Sequence, residues 1–200
     1  KLSSYTRVDD CEAFAFNWNG HLCVVFRFPT EGACWVFDVT TNEWHERDTY
    51  GKPVWDISDA VQCYGKVFVQ SRTTGEVGYL SDSEYAEFGN TMRRVVTYPI
   101  IYNAQQRLYH SQLDIVMRTG DAAVGVDPYI NLDISDDGGN TWTQLPGRQL
   151  VSRGTIGEYS QVIRFTRLGM ARDRTYRVWT ADAAPFVITD TQLSVAAGMK

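Results

Sequence analysis

Apolar and polar residues alternate with a period of two through most of this chain. The runs are short and are cut every few residues by Gly, Pro, Asn or Asp. That rhythm admits strands and tight turns and leaves little room for helices, because a helix needs apolar residues three and four apart over a longer window. "AFAFNW" leads into Asn19-Gly20, and "HLCVVFRF" follows. Asn-Gly between two such runs is a strong hairpin signal, since both residues tolerate positive φ. "ACWVFDV", a turn over Thr40 to Asn42, and "EWHERD" predict a second hairpin. The best helix candidate is "SDSEYAEFGNTMRR", from Ser81 to Arg94, and Gly89 interrupts it. The expectation is an all-β fold.

The first hairpin returns. "AFNWNGHLCVVF" aligns with "AVQCYGKVFVQS" at an offset of 45 residues, with Ala15 on Ala60, Gly20 on Gly65, Leu22 on Val67 and Val24 on Val69. "WVFDVTTNEW" is echoed more weakly by "GYLSDSEY". A period of this size with short strands is the pattern of propeller blades. Residues 1–91 are therefore read as propeller-blade repeats, with further blades missing or closure supplied by partners. From about residue 92 the runs lengthen, as in "RRVVTYPIIY", "YHSQLDIVMR", "PYINLDIS", "SQVIRFTRL", "RTYRVWTA" and "PFVITDTQLSV". Residues 92–200 are read as a β-rich terminal region, sandwich-like or blade-like. No linker separates the halves, so packing between them is expected.

Composition narrows the function classes. The chain has 200 residues, 44% hydrophobic and 22% charged, with a net charge of −5. A net negative chain does not coat nucleic acid generally. No apolar run approaches the roughly 20 residues of a membrane-spanning helix. The chain begins at Lys1 and reads as a fragment or processed product. Cys11, Cys23, Cys34 and Cys63 lack C-x-x-C spacing and read as reduced, buried thiols; a Cys11–Cys23 or Cys23–Cys34 bridge would need an oxidising compartment. His21, His45 and His110 are scattered, so neither a metal site nor a cofactor site is expected. No phosphate-binding loop, zincin or nucleophile-elbow motif occurs.

"SDDGGNTW", Ser135 to Trp142, fits S-x-D-x-G-x-T-W, the pattern called the Asp-box and best known from sialidases. Its residues are those of a structural turn. Asp137 can accept backbone N–H groups. Gly138 and Gly139 supply conformations closed to other residues. Ser135 and Thr141 add hydroxyl bonds, and Trp142 covers the base. None of these roles places a reactive group near a substrate. "FRFP", Phe26 to Pro29, is similar to the sialidase F-R-I-P motif, in which the Arg clamps a sugar carboxylate. That site would also need two further arginines, a Tyr nucleophile with its Glu, and an Asp acid. The competing reading of Arg27 is a solvated charge at a strand end. Trp18, Trp35, Trp44 and Trp55 could form a sugar platform, but their spacing suits packing within and between blades.

A wider resemblance spans most of residues 20–195. "CVVFRFPTEGACWVFDVTTNEWHERD", "AVQCYGKVFVQSRTTGEVGYLS", "DISDDGGNTWTQ" and "IGEYSQVIRFTRLGMARDRTYRVWTAD" resemble, in order and spacing, the tail-hub family of short-tailed bacteriophages, the packaged-DNA stabilisation proteins. The resemblance implies a structural virion protein rather than an enzyme. Its hub subunits would form a symmetric, sixfold ring that closes the portal channel and contacts the portal adaptor, tail needle and tailspike. It would sit in the virion tail, assembled in the host cytoplasm. The alternative is a sialidase-like glycosidase or a sugar-binding propeller fragment.

One charge feature fits such a role. Residues 148–177 hold Arg148, Arg153, Arg164, Arg167, Arg172, Arg174 and Arg177 against Glu158 and Asp173, a local excess of five positive charges, so the rest carries ten negative ones. Either these arginines form cross-strand ion pairs on a solvated face, or they form an interface, for which Arg is favoured. The interface candidates are Arg164, Arg167, Arg172 and Arg174, with an acidic neighbour or exiting DNA as partner. "GMARDR" reads as a tight turn with Asp173 bonding the backbone.

Overall fold

The computed structural model describes residues 2–119, 128–149 and 159–198. Apart from one 3-10 turn at Leu2–Ser4, every regular element among them is a strand. The chain divides into two compact units, Lys1–Met92 and Arg93–Lys200.

In the first unit, β1 (Glu12–Trp18), β2 (His21–Phe28), β3 (Ala33–Asp38) and β4 (Glu43–Glu46) form an antiparallel meander. A second sheet follows from β5 (Ile57–Cys63), β6 (Lys66–Ser71) and β7 (Val77–Tyr79). Both sheets are open, with free edge strands. Asn19 and Gly20 both take positive φ, as do Tyr64 and Gly65, so each hairpin is joined by a two-residue turn of the type that matches strand twist. The 45-residue repeat extends to register: Ala15 pairs with Val24, and Ala60 pairs with Val69. One core joins the sheets, built from Phe16, Cys23, Val25 and Val36 of the first, Val67 and Val69 of the second, and Trp55 between them in sequence.

Several expectations change here. The helix candidate is a hairpin of β8 (Ala86–Glu87) and β9 (Asn90–Thr91), because Phe88 and Gly89 both adopt positive φ and reverse the chain. The four cysteines are free thiols, but only Cys23 and Cys34 are buried; Cys11 is exposed and Cys63 half-buried. Cys23 lies opposite Asp38 and Cys34 opposite Arg27 in the ladder, too far along the strands to bridge. The tryptophans divide. Trp55 is buried and Trp18 packs against the core, whereas Trp35 and Trp44 lie on the other face of the first sheet, opposite Phe26 and Phe37 respectively.

The second unit is a sandwich. Its larger sheet takes β10 (Arg94–Thr97), β16 (Asp173–Thr180), β13 (Tyr129–Ser135) and β14 (Thr143–Gln149), with β11 (Ile101–Tyr102) also on β16. Its smaller sheet is β15 (Ser160–Ala171), β12 (Leu108–Arg118) and β17 (Ile188–Ala197). Leu113, Ile115 and Met117 of β12 and Ile163, Phe165 and Leu168 of β15 meet Ile130, Leu132, Tyr176 and Val178 from the larger sheet. The "GMARDR" segment is therefore no tight hairpin. It is the corner at Arg172 where the chain leaves one sheet as β15 and enters the other as β16.

A bulge interrupts this alternation. On β12 the inward residues are Leu108 and His110, then Leu113, Ile115 and Met117, a change of parity. Opposite it, the register passes from His110↔Gly169 to Gln112↔Thr166, so Arg167 and Leu168 together face Ser111. Such a bulge bends the strand and re-aims a side chain.

Candidate functional site

The turn between β13 and β14 is closed by its own side chains. Ser135 Oγ donates to Asp137 Oδ1 at 2.7 Å and accepts from Gly139 N at 2.8 Å. Thr141 donates its N–H to the Asp137 carboxylate at 2.9 Å and its hydroxyl to Oδ2 at 2.6 Å. The hydroxyl and amide of Thr141, then the Ser135 hydroxyl, hold the Asp137 carboxyl far below the usual carboxylate range. Gly138 and Gly139 take φ of 74° and 96°, which a side chain would strain. Every oxygen of Asp137 is thus engaged in the turn.

The arginine run and this turn, separate in sequence, form one network. Arg174 is buried and grips Asp136 through Nε at 2.6 Å and a terminal nitrogen at 2.7 Å, while its other nitrogen donates to the Leu168 carbonyl. Arg177 stands opposite Asp133 in the ladder and binds its carboxylate at 2.7 and 3.0 Å. Its guanidinium also lies 4.0 Å over the Trp142 ring. Arg93 approaches the same Asp133 at 3.8 Å.

The four interface candidates therefore separate. Arg174 is turned inward and spent on Asp136. Arg164 is exposed but clamps Asp114, its cross-strand neighbour, at 2.9 and 3.0 Å. Arg167 and Arg172 are exposed, and neither has an ion-pair partner among the described residues. Arg167 also holds φ of 60°, an unfavourable conformation for a residue with a Cβ. Arg153 and Glu158 lie outside the described residues, as does the side chain of Arg148.

Beneath the network sits a pair that scattered histidines did not announce. His110 is fully buried, and its Nδ1 lies 2.8 Å from the Tyr176 hydroxyl. Its Nε2 has no hydrogen-bond partner among the described residues. Burial, and then the nearby Arg174, lower the His110 pKa, while Asp136 opposes them. Burial pushes Tyr176 up to about 12. The bulge that brings His110 inside is the missing signal; nothing in "LYHSQL" marks it.

Arg27 is neither a solvated charge nor a free clamp. It is buried, bound through Nε to Glu12 at 2.9 Å and through a terminal nitrogen to the Ile57 carbonyl. Arg72 reaches the same Glu12 at 3.0 Å. A cleft of about 360 Å³ opens there, lined by these three residues with Ala13, Phe14, Ser58 and Asp59. It holds two arginines and no tyrosine, and the carboxylate those arginines bind is the chain's own Glu12. No cluster of three or more His, Cys, Asp or Glu that could hold a metal occurs among the described residues.

A family model described as bacteriophage P22 gp10, β-sandwich, matches residues 93–196, just over half of the 200-residue chain. The chain belongs to this family, which places it among bacteriophage structural proteins. No curated protein matches it.

Proposed function

We propose that the chain is part of a tail hub that completes the phage head and retains packaged DNA by closing the portal channel. The observation that carries this is the gp10-type sandwich bearing two exposed guanidinium groups without an ion-pair partner among the described residues, Arg167 and Arg172. Arg164, Arg174 and Arg177 are spent on carboxylates of the chain itself, whereas Arg167 and Arg172 are available to an acidic surface. The protein acts by shape and interface area. Its proposed partners are the portal adaptor, tail needle and tailspike, within a symmetric homo-oligomer in the virion tail, assembled in the host cytoplasm. Packaged DNA is a further proposed contact. The first unit is proposed to be propeller-type blades, on the strength of the 45-residue repeat in sequence and register.

The test is charge reversal. A chain with Arg167→Glu and Arg172→Glu is expected to fold normally and to dock poorly onto tail-less, DNA-filled heads, which then lose DNA. Unchanged docking and DNA retention would remove these arginines from the interface.

A further inference from the structure

The two repeated hairpins of the first unit turn on different residues. Trp18 pairs with His21 around Asn19-Gly20, and Cys63 pairs with Lys66 around Tyr64-Gly65, so Tyr64 takes the place of Asn19. Both hold left-handed φ, 54° at Asn19 and 49° at Tyr64. Asparagine tolerates that region because its short side chain bonds locally, whereas an aromatic residue is strained there. Phe88, another aromatic with positive φ, packs on the core beside Gly78, and that packing offsets the strain. Tyr64 has no such return. It is 95% exposed, and among the described residues its side chain makes no hydrogen bond, ion pair or ring contact.

A strained residue that folding does not explain points to contact. Tyrosine suits that role: it is a large rigid ring with a polar end, enriched among the side chains that dominate protein interfaces. The tip stands at the end of the strands, off both faces of the sheet, so further blades stacking face to face leave it free. Its surroundings select the partner. Both tips lie at one end of the unit. Asn19 bonds Asp82 at 2.9 and 3.0 Å, and the strand before Asp82, β7, ends beside the second tip, with the Leu80 N–H on the Val67 carbonyl. That end also carries Asp38, held by His21 at 2.6 Å. Lys66 lies 3.8 Å over the Tyr79 ring. Two carboxylates beside one engaged ammonium disfavour a phosphate backbone, which leaves a protein. Two clefts among the described residues, one of about 360 Å³ at Arg27 and one of about 190 Å³ at Asp136 and Asp137, are walled by carboxylates and suit no apolar ring, so the socket lies on a different protein.

We propose that Tyr64 is an anchor that seats its ring in an apolar pocket of a neighbouring virion protein, with its hydroxyl bonded to an acceptor in that pocket. The proposal rests on the virion reading above. It is separate from the arginine contact, which belongs to the second unit. An anchor of this kind is buried on docking, and ring area rather than charge carries the affinity. Salt therefore weakens it little, in contrast to a contact made by Arg167 and Arg172.

Docking of the full chain onto tail-less, DNA-filled heads tests it, with thermal unfolding measured in parallel. Tyr64→Asn restores the residue of the first tip. It is expected to unfold at the wild-type temperature or higher and to dock at least about tenfold more weakly. Tyr64→Phe keeps the ring and is expected to fall between the two. Docking of Tyr64→Asn at the wild-type level would overturn the anchor and leave the virion reading standing. A lower unfolding temperature for Tyr64→Asn would assign the tyrosine to folding and overturn the anchor as well. A wild-type chain that does not dock would overturn the virion reading and the partner named here with it. Weakened binding of Tyr64→Asn to an isolated DNA duplex would overturn the choice of a protein as partner.

Discussion

Arg174 reaches along its own sheet to Asp136, at the turn that ends the neighbouring strand β13, with two hydrogen bonds of 2.6 and 2.7 Å, and it does so from a buried position. Its third contact, to the Leu168 carbonyl, ties the same guanidinium to the bulged strand β15. One side chain thus joins the turn, the bulge and both sheets. Breaking a buried pair costs about 3–5 kcal/mol, because the remaining charge is stranded. Asp136 is half exposed and water can rescue it, so Arg174→Met is expected to cost about 2–3 kcal/mol, between that range and the small value of an exposed pair. Urea unfolding of the chain measures this. A loss below about 1 kcal/mol would make the pair a surface contact.

Asp137 lies in the same turn and titrates well below an ordinary aspartate. A carboxyl with a depressed folded pKa stabilises the fold above its unfolded value near 3.9, and that stability is lost as pH falls through the folded value. Asp137→Asn is therefore expected to lower the thermal midpoint at pH 7, with the difference from wild type shrinking in strong acid. A difference that stays constant from pH 7 into strong acid would contradict the assigned role.

His110 works in the opposite pH range. Its folded pKa is lowered, chiefly by burial and then by Arg174, with Asp136 opposing and Tyr176 hydrogen-bonded to the ring. Between the folded value and the unfolded value near 6.5 the unfolded chain binds a proton that the folded chain refuses, so stability falls as pH drops below about 6.5. His110→Gln keeps an acceptor for Tyr176 and does not titrate; it is expected to flatten that slope in the second unit. A proton NMR titration showing His110 half-protonated at its ordinary value would refute the burial argument.

Arg167 occupies the left-handed region at a bulge position where glycine is the common choice. Arg167→Gly relieves a steric cost of roughly 1–2 kcal/mol and adds chain entropy worth about 0.5–1 kcal/mol, for a net gain of at most about 1.5 kcal/mol. Raised or equal stability with weakened docking onto phage heads would show that the arginine is kept for contact rather than for folding. A clear loss of stability would show that it is kept for folding.

These residues also show what the sequence could and could not reveal. Alternation and the Asn19-Gly20 pair are local, and they led directly to strands and hairpins. The 45-residue offset located the second hairpin in register. The turn residues Ser135, Asp137, Gly139 and Thr141 were legible because their bonds span only a few positions. The pairs Arg174–Asp136 and Arg177–Asp133 were not, because they depend on which strands become neighbours. Nor was the bulge, since neither Arg167 nor His110 carries a residue preference for it. The best helix candidate, already interrupted by Gly89, is a hairpin because Phe88 takes a positive φ that phenylalanine does not advertise.

A structural protein of this family is built into phage particles. Tailed particles from the source, purified on a density gradient, should contain it by quantitative mass spectrometry in a fixed ratio to portal protein. A few copies per particle, constant across the particle peak, are expected. Absence of the chain from the peak, or a ratio that varies across it, would contradict the virion role.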